Sequence, residues 1–138
     1  MYKKLLITGI LILYSCLITV ASGSKSDSLF LALKNAEDTA KIDILNDLCW
    51  ELRNSNPSKA AKFGETAIRL ADSLNYQEGK LQAMSFTGVC YRNQGNYLKA
   101  LNYYFDALQI AQDIDNKEQE GYARINIANT YIYQKKYE

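Results

Sequence analysis

The chain has 138 residues, 48% of them hydrophobic, with one proline and seven glycines, which suits one domain and leaves little room for the turns of an all-β fold. Sixteen basic residues against 15 acidic ones give a formal charge of +1, so the basic footprint of a nucleic-acid binder is missing. There is no histidine, which excludes Ser-His and Cys-His nucleophile pairs and histidine metal sites.

Met1 to Lys4 carries two lysines, and Leu5 to Val20 is apolar except for Thr8, Gly9, Tyr14, Ser15, Cys16 and Thr19. A short basic segment followed by an apolar one has the form of an export signal, with Ala21, Ser22 and Gly23 supplying small residues for cleavage after Ala21 or Gly23. Residues 1–23 are therefore expected to be a signal peptide that delivers the chain to the periplasm. Two alternatives stay open. The apolar run is short of the roughly 20 residues of a membrane span, yet an uncleaved signal could still anchor the chain. Leu13-Tyr14-Ser15-Cys16 resembles a lipoprotein box with Cys16 as acyl acceptor, although Tyr14 is bulky for that role and Leu17 to Val20 stays apolar.

Residues 24–38 read as a linker and an N-terminal capping helix, capped by Ser26 or Asp27, running to about Glu37 and burying Leu29, Phe30 and Leu33. From residue 39 onward the pattern is helical throughout. Asp38 or Thr39 caps a helix to about Asn54 that buries Ile42, Leu45, Leu48, Cys49 and Leu52. Asn56-Pro57 marks the next start, a side-chain cap followed by the residue whose missing N–H costs nothing at the first helical position. That helix ends near Leu74. Further helices are expected over about 76–93, 97–114 and 117–134, with Gly95-Asn96 and Asp115-Asn116 as turns. Lys135 to Glu138 is expected to open another turn.

These helices repeat. A shift of 40 residues sets Ala60 on Ala100, Phe63 on Tyr103, Ala67 on Ala107, Ala71 on Ala111 and Leu74 on Ile114. A shift of 39 sets Leu45 on Met84, Cys49 on Gly88, Arg53 on Arg92 and Asn54 on Asn93. A second shift of 40 sets Ala83 on Ala123, Gly88 on Ala128, Tyr91 on Tyr131 and Tyr97 on Tyr137. Self-similarity at this period marks a solenoid of helix pairs. Repeats are expected over about 41–80, 81–120 and a partial 121–138. The third first-helix then lacks a partner for Tyr122, Ile125, Ala128, Tyr131 and Ile132, so the chain reads as the N-terminal piece of a longer protein or a truncated frame.

Packing accounts for most of the recurring residues. Gly88, Ala128, Ala100 and Ala107 are expected where helices approach closely, and Tyr91, Tyr97, Tyr104 and Tyr131 fill the wedges between them. Cys49 and Cys90 stand in unmatched registers and read as buried free thiols. No phosphate-binding glycine loop is present, and acidic pairs such as Glu118 and Glu120 diverge on a helix. The segment therefore reads as no enzyme and as needing no cofactor.

The repeat FTGVCYRNQGNYLKALNYYFDALQIA, with Gly88, Tyr91, Gly95, Tyr97, Ala100, Tyr104 and Ala107 at its marker positions, resembles the tetratricopeptide repeat family. So does the LNDLCWELRNSNPSKA segment before it. The resemblance covers about residues 27–138 and implies an all-α αα-hairpin solenoid, a right-handed superhelix of two complete repeats and a partial third. In such a stack the first helix of each pair lines the concave side. That places Asp43, Asn46, Trp50, Arg53 and Asn54 in a groove with Gln82, Ser85, Val89, Arg92 and Asn93, and with Tyr122, Ile125, Asn129, Ile132 and Tyr133. Arg53 and Arg92 are expected to stack and grip carboxylates of an extended peptide. The implied function is a protein-protein interaction module of an exported bacterial protein, with a protein or peptide as partner. Membrane contact would come only through the N-terminal signal or a downstream segment. The repeats are also similar to those placed ahead of sensor histidine kinases and LuxR-type regulators, which implies a sensory region of a signal-transduction protein as the alternative.

Overall fold

The computed structural model describes residues 24–137. The expected signal peptide and Cys16 lie outside the described residues. Six helices and no strand make up what is described: α1 (Lys25–Leu33), α2 (Asp38–Leu52), α3 (Pro57–Leu74), α4 (Gln77–Asn93), α5 (Tyr97–Asp113) and α6 (Lys117–Tyr137).

From α3 onward a helix begins every 20 residues, at 57, 77, 97 and 117. The sequence enforces this rhythm at both ends of each turn. Asn56, Asn96 and Asn116 accept hydrogen bonds from the N–H groups of Lys59, Lys99 and Gln119 at 3.1, 3.2 and 3.1 Å, satisfying donors that a helix start leaves orphaned. At the other end Asn75, Gly95 and Asp115 take positive φ of 53°, 76° and 54°. Each lets the next N–H reach back to the helix it leaves: Tyr76 to Ala71, Asn96 to Tyr91 and Asn116 to Ala111, at 2.9, 2.9 and 2.8 Å. Glycine, asparagine and aspartate are the residues that tolerate this conformation.

Helix α1 departs from its expected limits. Ser24 caps it through a reciprocal pair, its hydroxyl accepting from the Asp27 N–H and the Asp27 carboxylate accepting from the Ser24 N–H. It ends at Leu33 rather than near Glu37, with Asn35, a weak helix former, falling where the chain turns back. Leu29, Phe30 and Leu33 are half-buried, because α1 leans on one side of α2 and sets Phe30 against Phe63 with ring centroids 5.7 Å apart. Leu52 is also only half-buried.

Each helix packs on the one before it, and α4 also approaches both α2 and α6, whereas α3 and α5 meet only through long side chains such as Glu65 and Tyr103. The stack therefore bends with α2, α4 and α6 on its inner side. Small residues let the axes approach: Ala60, Ala67 and Ala71 on α3, and Ala100, Ala107 and Ala111 on α5, are all buried. Gly88 on α4 faces Tyr104 on α5, and a Cβ at Gly88 would stand 2.5 Å from the Tyr104 ring. Tyr104 is wholly buried, and burial raises its hydroxyl pKa to about 12. Gly64 on α3 meets Thr87 and Cys49 in the same way.

At the C-terminal end Tyr122, Ile125, Ala128, Tyr131 and Ile132 are exposed, as expected of a face that no described helix covers, so Ala128 and Tyr131 do not take up the close-approach and wedge roles of Gly88 and Tyr91. The turn expected at Lys135 is replaced by helix to Tyr137. Where Gly95-Asn96 ends α4, the corresponding Lys135-Lys136 offers neither a left-handed residue nor a cap. Two cations in the last turn instead suit the negative end of the helix dipole.

Candidate interaction cleft

The inner side of the stack holds a cleft of about 490 Å³ between α2, α4 and α6. Trp50, Arg53 and Asn54 come from the end of α2 and the turn after it; Ser85, Phe86, Val89, Arg92 and Asn93 come from α4. Gln119, Tyr122 and Asn126 come from α6. On each helix these residues recur at three- and four-residue steps, which keeps them on one face.

The apolar part is aromatic. Trp50, 38% exposed, lies 4.7 Å from Phe86 between ring centroids, tilted by 34°. The Arg53 guanidinium sits 3.6 Å above the Trp50 ring and donates to the Trp50 carbonyl oxygen. Asn93 fixes that corner: its Nδ2 donates to the Arg53 carbonyl at 2.9 Å and to Asn54 Oδ1 at 3.0 Å. Arg92 points toward α6, donating to Asn126 Oδ1 at 3.3 Å with its guanidinium 5.8 Å from the Tyr133 ring centroid. The expected stacking of Arg53 on Arg92 is thus replaced by a shared lining, each guanidinium held by a different neighbour. A partner group entering the cleft would meet two cations beside a tryptophan, with side-chain amides around them.

Other expected groove residues lie elsewhere. Asn46 is wholly buried between α2 and α4, its Nδ2 donating to the Gly79 carbonyl at 3.1 Å and, more weakly, to Gln82 Oε1 at 3.4 Å. It serves helix packing because the close approach of α4 covers that part of α2. Asp43 is exposed away from the cleft, near the Tyr76 hydroxyl, whose pKa is raised by burial first and by the Asp43 charge second. Gln82, Ile125, Asn129 and Ile132 are exposed and form no part of the lining, and Tyr133 borders a shallower depression with Arg92 and Tyr97. Phe86, Gln119 and Asn126 are the lining residues that the repeat alignment missed. Phe86 had a signal, since it lies one helical turn before Cys90 and one residue from Ser85, on the border of the selected face.

A second polar cluster joins α3, α4 and α5. Glu65 Oε1 accepts from the Tyr91 hydroxyl at 2.6 Å, the Tyr103 hydroxyl at 3.2 Å and Lys99 Nζ at 3.4 Å, while Lys99 also donates to the Tyr91 oxygen at 2.7 Å. Tyr91 and Tyr103 stack at 5.6 Å with nearly parallel rings. Burial works to raise the Glu65 pKa, but the Tyr91 hydrogen bond and the Lys99 charge outweigh it, and the net value falls below the ordinary one. Tyr91 thus fills its wedge as expected, with its hydroxyl engaged as well.

Among the described residues no group of three His, Cys, Asp or Glu side chains is placed to hold a metal ion, and no helix is long and apolar enough to cross a membrane. Comparison of the chain with protein-family models, with curated proteins and with solved structures finds no match.

Proposed function

We propose that this chain is a helical-repeat interaction module of the tetratricopeptide type, a right-handed solenoid that holds an extended peptide or protein segment in the cleft between α2, α4 and α6. It works by binding, with no bond made or broken by its own residues. The observation that carries this reading is the cleft itself, where Arg53 and Arg92 share one lining with Trp50, Phe86, Val89 and Tyr122. Guanidinium forks beside exposed aromatic rings suit a segment that carries carboxylates next to an apolar side chain. The 20-residue helix rhythm and the Gly88–Tyr104 contact support the repeat type. The basic and apolar N-terminal segment supports a site of action outside the cytoplasm.

The test is capture of a fluorescent acidic peptide containing one aromatic residue by the full chain and by an Arg53→Ala, Arg92→Ala double variant. The double variant is expected to bind about tenfold or more weakly, on the order of 1 kcal/mol for each cation lost, with unchanged helicity. Equal binding by the two proteins would remove the cleft as the binding site.

A further inference from the structure

We propose that Cys49 and Cys90 are a disulfide-forming pair that joins the first helix pair covalently to the second. The two sulfurs, from α2 and α4, lie 3.6 Å apart, and both residues are wholly buried. The sequence alignment, which set Cys49 on Gly88, gave no sign of this meeting. Their surroundings are small, with Ala60 and Ala61 in the same cluster and Gly64 close to the Cys49 sulfur. Closing from 3.6 Å to the ~2.05 Å of an S–S bond moves each sulfur by only about 0.8 Å. No third metal-ligating side chain joins them among the described residues.

The oxidant is a disulfide, either a small one such as oxidised glutathione or that of a thiol oxidoreductase. The Cys90 thiolate attacks one sulfur of that disulfide and expels the other as a thiolate, leaving a mixed disulfide. Cys49 then gives up its proton and attacks the Cys90 sulfur, releasing the second thiolate. Two cysteine thiols have lost two electrons, and the oxidant leaves as two thiols carrying the two protons. The two cysteines can exchange roles in these steps, and the atoms and electrons balance in the same way. Neither sulfur is reachable in the closed stack, so the exchange takes place while α2 and α4 are still coming together. Once closed, the bond is shielded from external reductants. The proposal is independent of the cleft and of what it binds.

The full chain is refolded from denaturant with oxidised glutathione or with dithiothreitol, alkylated after renewed denaturation, and digested for non-reducing mass mapping. In the glutathione sample the peptides holding Cys49 and Cys90 are expected to be linked, with Cys16 alkylated or bound to glutathione. The bond closes a 41-residue separation, so the oxidised protein should melt about 10 °C above the reduced one. A Cys49→Ala, Cys90→Ala double variant should melt at the same temperature under both conditions. Free thiols or stable glutathione adducts at both positions, or linkage of either cysteine to Cys16 alone, would overturn the assignment.

Discussion

Replacing Gly88 by alanine forces a methyl group into the Tyr104 ring, with Cβ 2.5, 2.8 and 2.9 Å from Cε1, Cδ1 and Cζ. Carbon atoms are ordinarily in contact at about 3.5–4.0 Å, so the ring or the helix has to yield by about 1 Å. Tyr104 is wholly buried against Val89, Ala100 and Ile127 and has nowhere to retreat. Overpacking costs about 1–3 kcal/mol, and contacts this short against a ring that cannot retreat put this case at about 2–3 kcal/mol, offset by the roughly 1 kcal/mol that alanine gains over glycine inside a helix. The net loss should be about 1–2 kcal/mol, a fall of roughly 5–10 °C in Tm. Gly121 on α6 is the control: nothing lies within 4 Å of its added Cβ, so Gly121→Ala should stabilise by up to about 1 kcal/mol. Urea unfolding followed by far-UV circular dichroism measures both variants. If Gly88→Ala is as stable as the parent or more so, the close approach of α4 and α5 is not what requires glycine there.

Glu65→Gln should lower stability at neutral pH by about 1–2 kcal/mol, because three donors lose an ionised acceptor. The folded pKa lies below the ordinary 4.5, so the carboxylate's contribution is present above that pH and is lost as the pH falls through the folded value. The variant should therefore show a shallower acid limb, and parallel pH-stability curves would exclude this role. Asn96→Ala should cost about 1 kcal/mol in the same assay and Asn96→Gly only a few tenths, since the cap bond to the Lys99 N–H is lost but glycine is itself an accepted cap. Equal losses in the two would point away from capping.

The helical layout was largely legible because its signals are local. Asn56-Pro57 and Gly95-Asn96 are chemically committed to ending one helix and starting the next, and the helices that they bound lie within two residues of expectation. The last helix was misjudged for the same reason, since Lys135 carries no local signal that could stop it. The cleft was legible only in outline. A face chosen by periodicity does not say how far the neighbouring helix covers it, and so Asn46, one turn from Trp50, is sealed under α4 while Trp50 stays open. The two cysteines escaped because equivalence between repeats and proximity between repeats are different relations. Residues that correspond lie 39 or 40 apart, whereas residues that touch are set by the axial offset of α2 against α4, which no repeat alignment contains.

Among the described helices, contacts reach only the immediate neighbour and the helix one further along. Such a molecule behaves as a zipper rather than as a globule. Its contacts close over short stretches of chain, so ordering requires no distant segments to find each other and should be fast for its size. It also opens in a graded way, with backbone hydrogen exchange quickest in α1 and α6 and slowest in α4, which has packed helices on both sides. The cleft gathers residues from α2, α4 and α6, so a bound segment would lie across the joints of the zipper and hold them closed.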